Sequence, residues 1–234
     1  VKPCRLDSRA AAVQTRLDIT RSRFNIPMQV IHHGPVMGCL ALLAAAPVAS
    51  VASGPGPVST GIDAEAGLPY WELSTPGMSV RLVQRLPDQT RGFFLARGLP
   101  REAVEKVAQR CVFQTVFKND SQTGTPSALE YNLRDWVVAA GDVQRGMKTR
   151  EDWAEEWAHS GVSQPARIAF EWALFPTRQV YNPGDYNWGM SVFDVAPGTI
   201  FDLELVWRQY GEVRSATIER VQCAPDEPYA PEES

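Results

Sequence analysis

The sequence is poor in the residues that bind metals or carry nucleophilic chemistry. It has three histidines and four cysteines in 234 residues. It shows no Walker loop, GxGxxG turn, HExxH pair or EF-hand spacing, so phosphate-loop, dinucleotide, zincin and calcium-hand chemistries find no motif. Positive charge is also in deficit. With 23 basic and 27 acidic side chains, the net charge is -4 and the pI about 5.5. That excludes a general nucleic-acid binder, which needs a basic surface to displace counterions. The uncharged apolar run Val36–Ala46 is eleven residues long, well short of the about 20 that span a bilayer.

What is present is ordinary for a globular chain: 44% hydrophobic and 21% charged residues, against disorder, collagen-like or coiled-coil repetition. The apolar run has the length of a signal-peptide h-region. Pro47 and the small residues Val-Ala-Ser-Val-Ala-Ser-Gly follow it, and Lys2, Arg5, Arg9, Arg16, Arg21 and Arg23 precede it. Residues 1–53 are therefore expected to be a basic leader plus signal peptide, cleaved near Ala52 to Gly54, with no membrane span left afterwards. The mature protein is expected to be periplasmic or secreted. Cys39 lies inside the run rather than after it, against a lipobox. Residues 1–53 hold six of the basic and two of the acidic side chains, so the remainder carries a net of -8. That remainder keeps every Trp and Tyr but only His159 among the histidines, and only Cys111 and Cys223 among the cysteines. Two cysteines in an exported chain predict one Cys111–Cys223 disulfide. Two thiols cannot complete a structural zinc site, and no metal or cofactor is expected.

Residues 54–69, rich in Gly, Pro and Ser, read as a flexible tether, and residues 224–234 as a loose acidic tail. Between them, 70–223 reads as a single domain. Ser79–Leu86 and Cys111–Asn119 are strand candidates, the second internal because its start is apolar on both faces. Pro100–Arg110 and Thr149–Ser160 are helices. The second has Thr149 as cap, acidic Glu151 and Asp152 at its positive end, and Trp153 and Trp157 one turn apart. Leu129–Ala140 is strand-like, with a phase flip between Leu133 and Trp136 that suggests a bulge. Residues 166–174 alternate as a strand through Ala166, Ile168, Phe170, Trp172 and Leu174. From Thr199, Phe201, Leu203, Leu205 and Trp207 alternate likewise, with a turn at Tyr210-Gly211-Glu212 into a partner reaching Gln222. Many strands, Pro-Gly turns at 183–184 and 197–198, and two short helices predict a mainly β fold. The expected form is an antiparallel β-sandwich, immunoglobulin-like in the broad sense.

Catalytic signals are thin. A Ser-His-Asp triad would have to use His159. Gly189-Met190-Ser191-Val192-Phe193 starts as a nucleophile elbow but has Phe193 where the second glycine belongs. Carboxylate chemistry would draw on Glu155 and Glu156, or on Glu171, Asp202 and Glu204 if their strands share a concave face. The stretch Tyr181–Met190 interleaves turn residues with aromatics, and the expected binding residues are Tyr181, Asp185, Tyr186, Asn187 and Trp188. The reading that follows is a non-catalytic exported β-sandwich binding a protein or envelope component. A carbohydrate-binding module is one form of it. The alternative is a carboxylate-driven hydrolase acting on carbohydrate.

Overall fold

A computed structural model of the chain describes residues 58–227. The expected leader, its expected cleavage site and residues 228–234 lie outside the described residues. In chain order the first strands are β1 (Val58–Ile62), β2 (Pro69–Thr75), β3 (Met78–Gln84), β4 (Cys111–Asn119), β5 (Leu129–Asn132) and β6 (Val137–Ala140). The remainder are β7 (Val143–Gly146), β8 (Arg178–Tyr181), β9 (Tyr186–Phe193), β10 (Ile200–Gln209) and β11 (Glu212–Gln222). Four helices accompany them: α1 (Pro87–Leu95), α2 (Arg101–Ala108), α3 (Arg150–Ala158) and α4 (Gln164–Ala173).

The strands form two antiparallel sheets packed as a β-sandwich. One has the order β1-β2-β3-β4-β9, which makes β4 internal as expected. In the other, β10 pairs with β11 along one side and with β6 and β5 in succession along the other, and β7 and β8 extend these. Leu129–Ala140 is thus one interrupted strand. Tyr131 lies opposite Trp207 and Val137 opposite Glu204, so six steps face three. A 3₁₀ turn at Leu133–Asp135, capped by Asn132 Oδ1 accepting the Arg134 N–H at 3.1 Å, takes up the surplus. The phase flip is this turn rather than a bulge, and it lets Leu133 and Trp136 both reach the core.

Alternation along β4 builds two cores. Cys111, Phe113 and Phe117 point between the sheets, where they meet Trp71, Phe193, Phe201, Tyr131 and Tyr181. Val112 points the other way, with Met190 and Val192 of β9, into a second cluster formed by the helices. There Trp153 and Trp157 are buried and stacked 5.0 Å apart, with Phe170 edge-on to both. Burying an indole removes about 150–250 Å² from water, which stabilises by about 4–6 kcal/mol each as an upper bound. The Cys111–Cys223 disulfide is formed, with Cα atoms 5.3 Å apart. It ties the start of β4 to the residue after β11, one sheet to the other.

Three expectations are corrected. Residues 166–173 are helical, with Leu174 as the C-cap, and the described residues hold four helices rather than two. The alternating set contains a helical subset: Ala166, Phe170 and Leu174 recur every four residues and are buried, whereas Ile168 and Trp172 lie on the opposite side, exposed. Pro165 in the first turn suits a helix start. The span read as a tether contains β1, paired to β2 over its whole length. The start of the tail is docked rather than loose: Ala224 is buried and Asp226 forms two 2.7 Å bonds with Arg91. No helix among the described residues is long and apolar enough to cross a membrane.

Candidate functional site

The stretch Tyr181–Met190 is mostly strand. Tyr181 ends β8, Asn182–Asp185 make a turn, and β9 begins at Tyr186. The turn is rigidly held. Gly184 adopts a φ of +87°, where a side chain would be strained. The Asp185 side chain accepts the Asn182 N–H at 2.8 Å. Buried Asn119 donates to the carbonyls of Ser127 and Tyr181 at 2.7 and 3.0 Å, and its backbone N–H donates to Asp185 O at 3.0 Å.

The expected binding residues divide. Tyr181 is buried in the inter-sheet core, stacked on Phe117 at 5.2 Å, and burial pushes its phenol up to about 12. It is a core residue and is withdrawn from the contact set. Asp185 is a turn residue. Tyr186 and Trp188 are 65% and 60% exposed, on the outward face of β9 opposite Lys118 and Val116. They lie just beyond the point where the helices stop covering this face, since Met190, the next outward residue, is buried.

Sequence reasoning missed Trp172, placed in a strand core but 82% exposed on α4. The chain leaving α4 runs directly against β9. Phe175 N–H donates to Met190 O at 2.8 Å, and Leu174 bridges Met190 in parallel. This close approach requires glycine at 189, where a Cβ would sit 2.6 Å from the Phe175 Cα and N. The contact brings Trp172 and Trp188 to the border of one open groove of about 790 Å³, whose walls also include Asn132, Gln179 and Asn187.

The charges of this groove are largely paired. Arg178 Nε donates to Glu130 at 2.8 Å, and Arg134 lies 3.4 Å from Asp152. Arg150 donates from Nε to Leu174 O at 3.0 Å, and burial pulls its pKa down despite nearby Glu171. Burial opposes ionisation of Glu151, but hydrogen bonds led by that from Thr177 at 2.6 Å outweigh it and hold the carboxyl below its usual range.

The other candidates do not converge. Glu171 is on α4 and lines the groove, whereas Asp202 and Glu204 are on β10, so the proposed concave carboxylate face is not formed. Asp202 accepts the Arg220 N–H at 2.7 Å where β10 and β11 shift register. Glu156 is ion-paired with Lys148 and Lys106, and Glu155 is exposed on α3. Ser191 is buried in mid-strand, bonded to Thr115 at 2.8 Å, which is no nucleophile elbow. His159 ends α3, with Nδ1 3.2 Å from Glu155 O. Among the described residues no group of three or more His, Cys, Asp or Glu is placed to hold a metal ion.

No family model matches the sequence, and no curated protein matches it. Among solved structures the chain is similar to the crystal structure of a "putative lipoprotein (ycdA)" from Bacillus subtilis subsp. subtilis str. 168. Identity is 16%, the TM-score is 0.35, and the match covers 64% of this chain and 38% of the other. This chain therefore spans well under half of that protein's length.

Proposed function

We propose that this protein is an exported, non-catalytic β-sandwich that binds a protein or envelope component outside the cytoplasm. The observation that carries the reading is that Trp172 and Trp188, both exposed, line one groove, with Tyr186 exposed two residues before Trp188 on the same face of β9. Large exposed aromatics on a rigid scaffold are the usual anchors of contact surfaces. The apolar run at Val36–Ala46 and the Cys111–Cys223 bond support the exported compartment. No comparable observation favours carboxylate-driven hydrolysis, since Glu171 lines the groove without Asp202, Glu204, Glu155 or Glu156.

The test is capture from envelope and culture-fluid extracts by the wild-type protein beside Trp172→Ala and Trp188→Ala. A specifically retained component should be lost with either variant. Both residues are exposed, so unfolding temperatures should stay within about 1–2 °C of wild type. Retention unaffected by both changes would refute the assignment of the surface. A drop in stability of several kcal/mol would show instead that the rings are part of the packing.

A further inference from the structure

We infer that the occupant of the Trp172–Trp188 groove is a neutral polysaccharide segment, an inference that rests on the binding reading above. The argument comes from which contact groups the groove leaves available. Its cations are engaged: Arg178 with Glu130, Arg134 with Asp152, and Arg150 with the Leu174 carbonyl. An acidic ligand would have to displace these partners. The groups without a partner among the described residues are the Glu171 carboxylate, which repels an anion, and neutral carboxamides. Asn132 and Asn187 use their carboxamide oxygens on the Arg134 and Trp188 N–H groups, and their NH₂ groups have no partner among the described residues. Gln179, half-buried in the same wall, likewise has none.

Two indoles and three carboxamides lining one groove suit a ligand that is apolar on its ring faces and hydroxylated at its edges. A pyranose has that character: its C–H faces pack on an aromatic ring, and its hydroxyls pair with groups that donate and accept. The groove is open, so it suits a chain rather than an enclosed monosaccharide. An added peptide strand fits less well. Along the edge of β9 the Trp188 N–H, a donor such a strand would need, is already bonded to Asn187 Oδ1 at 2.7 Å.

The experiment is native affinity electrophoresis of the full chain in gels containing mixed-linkage β-glucan, xylan, galactomannan or glycol chitin, with anionic alginate for comparison. Retardation by at least one neutral polymer, and not by alginate, is the expected result. Trp172→Ala and Trp188→Ala should each weaken that retardation about tenfold or more, and Gln179→Ala should weaken it measurably. Tyr210→Asn, which removes an exposed aromatic at a remote turn, should leave it unchanged. Retardation by no neutral polymer, by alginate alone, or undiminished by the Trp substitutions would overturn the inference. If no polymer retards the protein while extract capture still depends on Trp172 and Trp188, the polysaccharide inference falls and the binding reading stands. If capture also fails, both fall.

Discussion

Gly189→Ala tests the contact that joins the helical layer to β9. The new methyl carbon would lie 2.6 Å from the Cα and N of Phe175 and 2.8 Å from the Leu174 carbonyl carbon. These are backbone atoms, so no rotamer change relieves the clash, and the 174–175 segment must move off the strand. Overpacking of this kind costs about 1–3 kcal/mol. Losing the 2.8 Å bond from Phe175 N–H to Met190 O costs about 0.5–1.5 kcal/mol more. The sum, about 1.5–4.5 kcal/mol, lowers the unfolding temperature by about 3–18 °C for a domain of this size. The displacement also carries Trp172 away from Trp188, so retention of the bound component should fall with stability. Gly92→Ala is the matched control. Gly92 lies inside α1 with nothing within 4 Å of a new Cβ, and alanine there should stabilise by about 0.4–1 kcal/mol. Urea unfolding and thermal melts of both variants provide the measurement. A Gly189→Ala protein within about 0.5 kcal/mol of wild type would refute the close approach, because an ordinary surface site gives that result.

Unreduced tryptic mapping should recover the Cys111 and Cys223 peptides linked, and separate alkylated peptides would disprove the bond. Replacing both cysteines with alanine should cost up to about 4–5 kcal/mol, the chain-entropy value for a closure of 112 residues. Thr149→Ala removes the capping box in which Thr149 and Asp152 bond reciprocally. It should cost about 1 kcal/mol and speed amide exchange in the first turn of α3, whereas unchanged exchange would show the cap to be idle. Asp226 is held below its usual 3.8, first by its hydrogen bonds to Arg91. A depressed folded pKa means the docked 224–227 segment is fully favoured above the ordinary Asp value and loses that advantage as pH falls through the lower folded one. Carboxyl-carbon NMR should give an Asp226 midpoint below 3.8, and a midpoint at or above it would contradict the docking.

Much of the sandwich is legible in the residues themselves. β10 follows from alternation, β11 from the turn at Tyr210-Gly211-Glu212, β4 from a run apolar on both faces at its start, α2 and α3 from one-sided stripes and a capping threonine, and the disulfide from the two cysteines left beyond the apolar run. Period two is informative there because one face of each strand is buried and the other meets water or a second core. At 166–174 the same rule misleads, because every second residue is apolar and every fourth one is as well. Which subset is buried depends on whether a sheet or a pair of stacked indoles waits on the other side. Only the tertiary structure decides that, by placing Trp153 and Trp157 against Phe170. The same limit applies to the site. Local composition marks Tyr186 and Trp188 as candidates, but it also marks Tyr181, and exposure is not a local property. The fold buries Tyr181 because the end of β8 faces β4 across the sandwich, and it leaves Trp188 bare because the helical layer ends at Met190. Trp172 joins Trp188 only through a backbone contact sixteen residues away in sequence, which the glycine at 189 permits and no periodicity reports.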